Sequence, residues 1–263
     1  MIKYIFPILF ICLVACTSEK EQSTKNKSES IVKTFKNEAE MDERVQELKI
    51  IVESSDLIAN SLRYEKGSTG ESIEVFGHVD KTNTLQIVEE VFSEGNGKSS
   101  GSIFYYLENG KPFVTQELID EVSPTGEGSF VDRISYYNAK GKVLKTKERR
   151  ARFQDEISSK AYQNVPLHEV KIDRAMRALN SEKEFETTFQ GFVNQDIFSY
   201  LIVGPNYPDG FTSALRLDYK DKLIQILLSD PKNHLGAKLK VNFENYEDRG
   251  FRFQVYAGGK FAD

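Results

Sequence analysis

IFYYLENGKPFVT, residues 103–115, reads as two short strands joined by a tight turn. Its centre is Glu108-Asn109-Gly110-Lys111, and an Asn-Gly pair accepts the positive φ angles of a type I′ hairpin turn. ISYYNAKGKVLKT, residues 134–146, aligns on it without a gap at a spacing of 31 residues, with six of thirteen positions identical. Ile, both Tyr residues, Gly, Lys and Thr coincide, and Phe113 falls opposite Leu144. A repeated β-hairpin therefore organises this part of the chain as an antiparallel meander.

On either side, similar runs separated by Gly, Asn and Asp turns predict strands near Ser72–Val79, Leu85–Phe92, Ser102–Leu107, Phe113–Ile119, Phe130–Tyr137 and Val143–Arg150. Upstream, Met41, Val45, Leu48, Ile51, Val52, Ile58 and Leu62 recur at three- and four-residue steps between charged residues. That spacing predicts a helix of about 25 residues ending at Gly67, with one apolar face to lay on the sheet. The hairpins resemble the Tyr/Gly-Lys hairpin repeats of MORN-like proteins and of bacterial lipoproteins. The repeat period here is longer than theirs, and no function is carried over.

Downstream, a helical connector is expected over about His168 to Phe185. A second β-rich block follows, with strands at FETTFQGFVN, FSYLIVG, TSALRLDY, AKLKVNFEN and FRFQVYAG. Between the third and fourth, KLIQILLSD has Leu223, Ile224, Leu227 and Leu228 at helical spacing. Three strands, a short helix and two strands resemble the element order of the OB fold, a small five-stranded barrel. PKNHLGAKLKVNFE (231–244) is similar to the turn and fourth strand of that family; an SH3-like barrel is the alternative. The fold class expected is mainly β (α+β), a helix on an antiparallel meander followed by an OB-like five-stranded barrel.

The amino terminus, MIKYIFPILFICLVACTSEK, has the layout of a secretory signal, with Lys3 before an apolar run from Tyr4 to Ala15. Twelve residues are too few for a bilayer span, which needs about 18. Where the run ends, Leu13-Val14-Ala15-Cys16 resembles the lipobox of bacterial lipoproteins. The resemblance implies cleavage after Ala15, acylation of Cys16 and attachment to the membrane through that lipid. Thr17, where Asp would follow the Cys for retention, resembles the pattern sent on to the outer membrane. The only cysteines are Cys12 and Cys16, so no disulfide framework is available to the mature chain. Losing residues 1–15 removes one Lys and no acid, taking the net charge from -5 to -6. Residues 17–36, nearly all polar, read as a solvated tether with a reach of roughly 25 Å.

Catalytic motifs are weighed against their context. GKSSG (97–101) matches G-x-S-x-G around Ser99, but a nucleophile elbow needs a strand before it and a helix after it, and SIFYYL is a strand. A phosphate loop needs a Gly at position 92, which is Phe92. His78, His168 and His234 fall in different elements, so neither a metal nor another cofactor is expected. The acid pairs Asp218/Asp221 and Glu247/Asp248 sit beside Lys or Arg in polar turns.

KGKVLKTKERRAR (140–152) has seven basic residues of thirteen in an otherwise acidic chain. Lys145, Lys147, Arg149 and Arg150 are candidate contacts for an anionic envelope polymer or another envelope protein. The bland reading is an edge strand guarded by lysines, with Leu144 turned to the core. After Phe185 there are nine Lys/Arg and ten Asp/Glu, which excludes a basic footprint for nucleic acid. Tyr207, Phe211, Tyr246 and Tyr256 are candidates to stack on a sugar or base.

The expected organisation is a signal over 1–15, a lipidated Cys and tether over 16–36, a helix and hairpin-repeat domain over 37–160, a connector over 161–185 and the barrel over 186–263. The expected function is that of a non-enzymatic envelope lipoprotein that binds or assembles at the membrane surface. A carbohydrate-active or other polymer hydrolase and a saccharide- or peptide-binding module are the alternatives.

Overall fold

A computed structural model describes residues 35–55, 58–123, 126–195 and 197–262. Among the described residues the chain is mainly β, with two sheets. Helix α1 (Glu38–Glu53) starts at Asn37, whose side chain accepts from the Glu40 N–H at 3.0 Å. Its buried stripe, Met41, Val45 and Leu48, lies on Ile87, Tyr106, Val114 and Tyr136 of the first sheet. The helix is shorter than the apolar spacing predicts. Ser54 and Ser55 bond back to the Ile51 and Val52 carbonyls and close its end. Ile58 instead pairs with His78, and Leu62 enters the core.

The first sheet contains β1 (Ile58–Asn60), β2 (Tyr64–Lys66), β3 (Glu71–Val79), β4 (Leu85–Ser93), β5 (Ser100–Glu108), β6 (Lys111–Val122), β7 (Gly128–Tyr137), β8 (Val143–Ala151) and β9 (Gln163–Val165). Among the described residues the order is β1-β3-β4-β5-β6-β7-β8-β9, all antiparallel, with β2 also on β3. The meander and its six longer strands are as the sequence predicts; the three short strands are added by tertiary pairing.

The two hairpin copies are not superimposable without a gap. Asn109 and Gly110 both have positive φ, at 52° and 74°, in a tight turn closed by Glu108↔Lys111. The second turn is one residue longer, running from Tyr137 to Val143 where the first runs from Leu107 to Pro112. Thr115 therefore pairs with Tyr105, but Thr146 pairs with Ser135. A one-residue slip exchanges the faces of a strand. Tyr105 points into the core shared with the second sheet, and its sequence counterpart Tyr136 points under α1. Both copies keep a bulge in their second strand, at Phe113 and at Leu144. Phe113 is buried against Phe35, at 4.7 Å between ring centroids, whereas Leu144 is 55 % exposed. The expectation that Leu144 faces the core is corrected: the bulge takes the residue out of the strand's alternation, and burial at that position depends on a cover such as Phe35 gives Phe113.

The expected connector helix is confined to α2 (Asp173–Leu179). Before it, residues 166–171 cross the sheet as an extended strap held by hydroxyls. Ser135 donates to the His168 carbonyl, Thr146 accepts from the His168 N–H, and Tyr137 accepts from the Val170 N–H.

The second sheet has β10 (Thr188–Gln195), β11 (Phe198–Gly204), β12 (Ser213–Leu217), β13 (Leu239–Asp248) and β14 (Phe251–Phe261) in the order β10-β11-β12-β14-β13. Helices α3 (Lys222–Ser229) and α4 (Pro231–His234) lie between β12 and β13, and β12 pairs with β14 in parallel. Asp221 caps α3 by accepting from the Ile224 N–H. Backbone bonds of 2.8 Å from Phe189 N–H to the Ala237 carbonyl and from Leu239 N–H to the Thr187 carbonyl draw the start of β10 to the start of β13.

One core cluster runs from Ile73, Val75 and Tyr105 through Phe185 to Leu201, Leu215 and Ile224. The described residues all belong to one compact unit. The boundary expected at 161–185 thus separates two sheets with a continuous core between them.

Candidate functional site

The basic run lies on β8, which is not an edge strand. β9 covers it through Thr146↔Val165, Lys147↔Asn164 and Glu148↔Gln163. Nor do its lysines face open water, because α1 crosses the same side and brings Glu38 and Asp42. Lys145 pairs with Glu38 at 2.9 Å and Lys147 with Asp42 at 3.5 Å. Arg149 bonds Asp132 at 2.7 Å and lies 4.5 Å over the Tyr162 ring. Arg150 pairs with Glu148 and Glu121. Burial opposes the charged form of Glu148, but hydrogen bonds from Arg150 and Arg133 outweigh it and hold that carboxyl below the usual range. All four candidate cations are therefore occupied by carboxylates of their own chain.

Cys16, its lipobox and the cleavage point after Ala15 lie outside the described residues. Ser99 is in the loop from β4 to β5, where its carbonyl accepts from the Glu94 N–H. Among the described residues, no three His, Cys, Asp or Glu converge as a metal site, and no helix is long and apolar enough to cross a membrane. Asp218 is engaged by Arg216, and Asp221 caps α3 while accepting from the Tyr256 hydroxyl at 2.8 Å.

A different set of residues converges on the outer face of the second sheet. The Arg216 guanidinium, near the end of β12, lies 5.0 Å over the Phe198 ring and 4.4 Å over the Phe253 ring. Tyr246 opposes Phe253 across β13 and β14, and the two rings stack at 5.9 Å and 16°. The result is a continuous stack, Phe198–Arg216–Phe253–Tyr246. Asp218 holds Arg216 in place with a two-pronged bond of 2.7 and 2.8 Å, which raises the guanidinium pKa. The Tyr246 hydroxyl donates to Glu244 at 2.8 Å. Tyr246 is 46 % exposed, and Phe251, next along the hairpin, is 77 % exposed.

Beside the stack is a cleft of about 420 Å³, lined by Tyr200, Ile202, Phe253, Arg252, Arg63 and Glu65 among others. The size falls within the roughly 300–1,000 Å³ of small-molecule sites. Its walls come from both sheets. Arg63 and Glu65, an ion pair at 3.0 Å, are carried at β2, and Glu65 exchanges both backbone bonds with Thr212 at the start of β12. Aromatic faces beside fixed hydrogen-bonding groups can hold a flat or ring-shaped ligand. No family model matches the chain, and neither a curated protein nor a solved structure matches it.

Of the aromatic residues marked from sequence, Tyr246 belongs to this platform and Tyr207 is exposed on the loop after β11. Phe211 and Tyr256 are core residues. Phe198, Tyr200, Phe251 and Phe253 were missed. The available signal was alternation, Phe198-x-Tyr200-x-Ile202 and Phe251-x-Phe253, which places each set on one face of its strand.

Proposed function

We propose that the chain is an exported lipoprotein, acylated at Cys16 and carried to the outer membrane, whose folded part is a non-enzymatic binding module. The second sheet is read as an OB-like barrel, supported by its helix between the third and fourth strands and by the bonds that draw its first and fourth strands together. In that family the outer face of the second and third strands is where ligands bind. The observation that carries the reading is the Phe198–Arg216–Phe253–Tyr246 stack on that face, bordered by a cleft. Exposed, pre-stacked rings lose little freedom on binding and offer area that a folded chain otherwise buries. Balanced charge around the face supports an envelope partner over nucleic acid.

Two measurements test this. Full-length protein should incorporate labelled palmitate and partition with membranes, and Cys16→Ser should lose both; equal labelling of the variant refutes the anchor. Retention on isolated envelope polymers should fall in Phe198→Ala and Tyr246→Ala, both solvent-facing changes. Unchanged retention refutes the platform.

A further inference from the structure

Glu74 is only 7 % exposed, yet it makes no hydrogen bond or ion pair with any described residue. Among the described residues only Asn60 Oδ1 is a fully buried side-chain polar atom without a partner, so the Glu74 carboxylate, at the end of a largely buried side chain, keeps an opening to solvent. It lies on β3 of the first sheet, on the side where the β13–β14 hairpin folds over. Its carboxylate opens into a cavity of about 90 Å³ lined by Arg63, Phe76, Arg252, Phe253 and Gln254 among others. Arg63, Arg252, Phe253 and Gln254 also line the larger cleft, so the two cavities adjoin. Arg252 lies over the Phe76 ring at 6.0 Å and has no carboxylate of a described residue within 4.0 Å. The smaller cavity is thus lined by an acceptor and a donor set that are not bonded to each other, beside the Phe76 and Phe253 rings.

We infer that this composite cleft is a site for a neutral saccharide: Glu74 accepts from a sugar hydroxyl and Arg252 donates to a neighbouring oxygen, while Phe253, held between Arg216 and Tyr246, forms part of the wall. The inference rests on the binding-module reading and assigns its ligand. Charge balance selects the class. Glu65 neutralises Arg63, and Glu74 stands against Arg252, so the site offers no net attraction to a polyanion or a polycation. Donor and acceptor side by side match adjacent hydroxyls, each of which both donates and accepts. Burial raises the Glu74 carboxyl, with Arg252 and Arg63 opposing the rise, so a hydroxyl donor would find the group without the solvation that weakens an exposed carboxylate.

The test is titration of full-length protein, in detergent, with maltohexaose, cellohexaose and chitohexaose, against tetragalacturonate and a zwitterionic tetrapeptide. A neutral oligosaccharide is expected to bind with Kd below about 1 mM. Glu74→Gln and Arg252→Gln should each weaken it about tenfold or more while leaving cooperative melting intact. Tighter binding of tetragalacturonate or of the peptide overturns the inference, as does absence of neutral-sugar binding. If binding is lost in Phe198→Ala and Tyr246→Ala but unmoved in Glu74→Gln, the platform stands and the Glu74 site falls. If no probe binds and retention on envelope polymers is also absent, both fall.

Discussion

The side-chain oxygen of Gln254 accepts a hydrogen bond from the Arg63 N–H at 2.8 Å, across 191 residues of sequence. The amide nitrogen of Gln254 donates to the Ser61 carbonyl at 3.3 Å and to Asn245 at 2.9 Å. One buried amide therefore completes the backbone of an irregular segment between the sheets and locks the hairpin that forms the cleft wall.

Gln254→Ala should be costly out of proportion to its size. The Arg63 N–H and the Ser61 carbonyl lose their partner, at about 1–3 kcal/mol for each group that stays dry. Urea unfolding measures this; a change under 0.5 kcal/mol would show that water replaces the amide.

Residues 186–263 should not fold as an isolated fragment. Leu201, Leu215 and Ile224 share their core with Ile73, Val75 and Tyr105, and the fragment would expose that surface. A sharp, cooperative melt of the fragment by circular dichroism would contradict this.

The two bulge positions should respond oppositely to truncation. Leu144→Ala, at an exposed site, should change stability by under about 0.5 kcal/mol, and Phe113→Ala should cost about 3–5 kcal/mol. Equal effects would mean that the Phe35 and α1 packing is not formed in solution.

In the basic run the residues should differ as their partners do. Lys145→Gln removes a half-exposed pair with Glu38 and should cost under about 1 kcal/mol. Arg149→Gln leaves Asp132, whose side chain is 2 % exposed, without its cation and should cost about 3–5 kcal/mol. A triple change of Lys145, Lys147 and Arg149 that leaves the melting temperature unmoved would refute these pairings.

Glu74 should give a pH signature. Burial raises its carboxyl above the ordinary 4.5, Arg252 and Arg63 oppose this, and Glu89 adds to it. The folded chain holds that proton more tightly than the unfolded one. The associated stability is present below pH 4.5 and is lost as pH rises through the folded value. Glu74→Gln, neutral throughout, should melt higher than the parent near pH 7, with the gap closing toward pH 4. A gap that does not vary with pH would place Glu74 in water.

The meander was legible because local rules act alone there. Asn109-Gly110 imposes its turn, apolar alternation places the strands, and each strand pairs with its neighbour in sequence. The β-rich block and its helix were legible for the same reason, through period-2 runs interrupted by Leu223, Ile224 and Leu227. The platform was not. Phe211, Tyr246, Phe253 and Tyr256 are all aromatic residues at or near strands, and only their inward or outward direction separates core from contact surface.

What the sequence by itself determined is the longer strands, the local pairing of those in the meander and the balance of charge. Only the tertiary structure decided direction and partnership. One extra residue in the second hairpin turn sent Tyr105 and Tyr136 to opposite faces, and of two residues at the same bulge position Phe113 is covered by Phe35 while Leu144 is exposed. The lysines of β8 met Glu38 and Asp42 because α1 crosses them, and Glu74 and Arg252 line one cavity because a hairpin far along the chain folds over β3. Hydrogen-bonded turns are set by neighbours in sequence, but burial is set by whatever packs above, and here that came from 100 or more residues away.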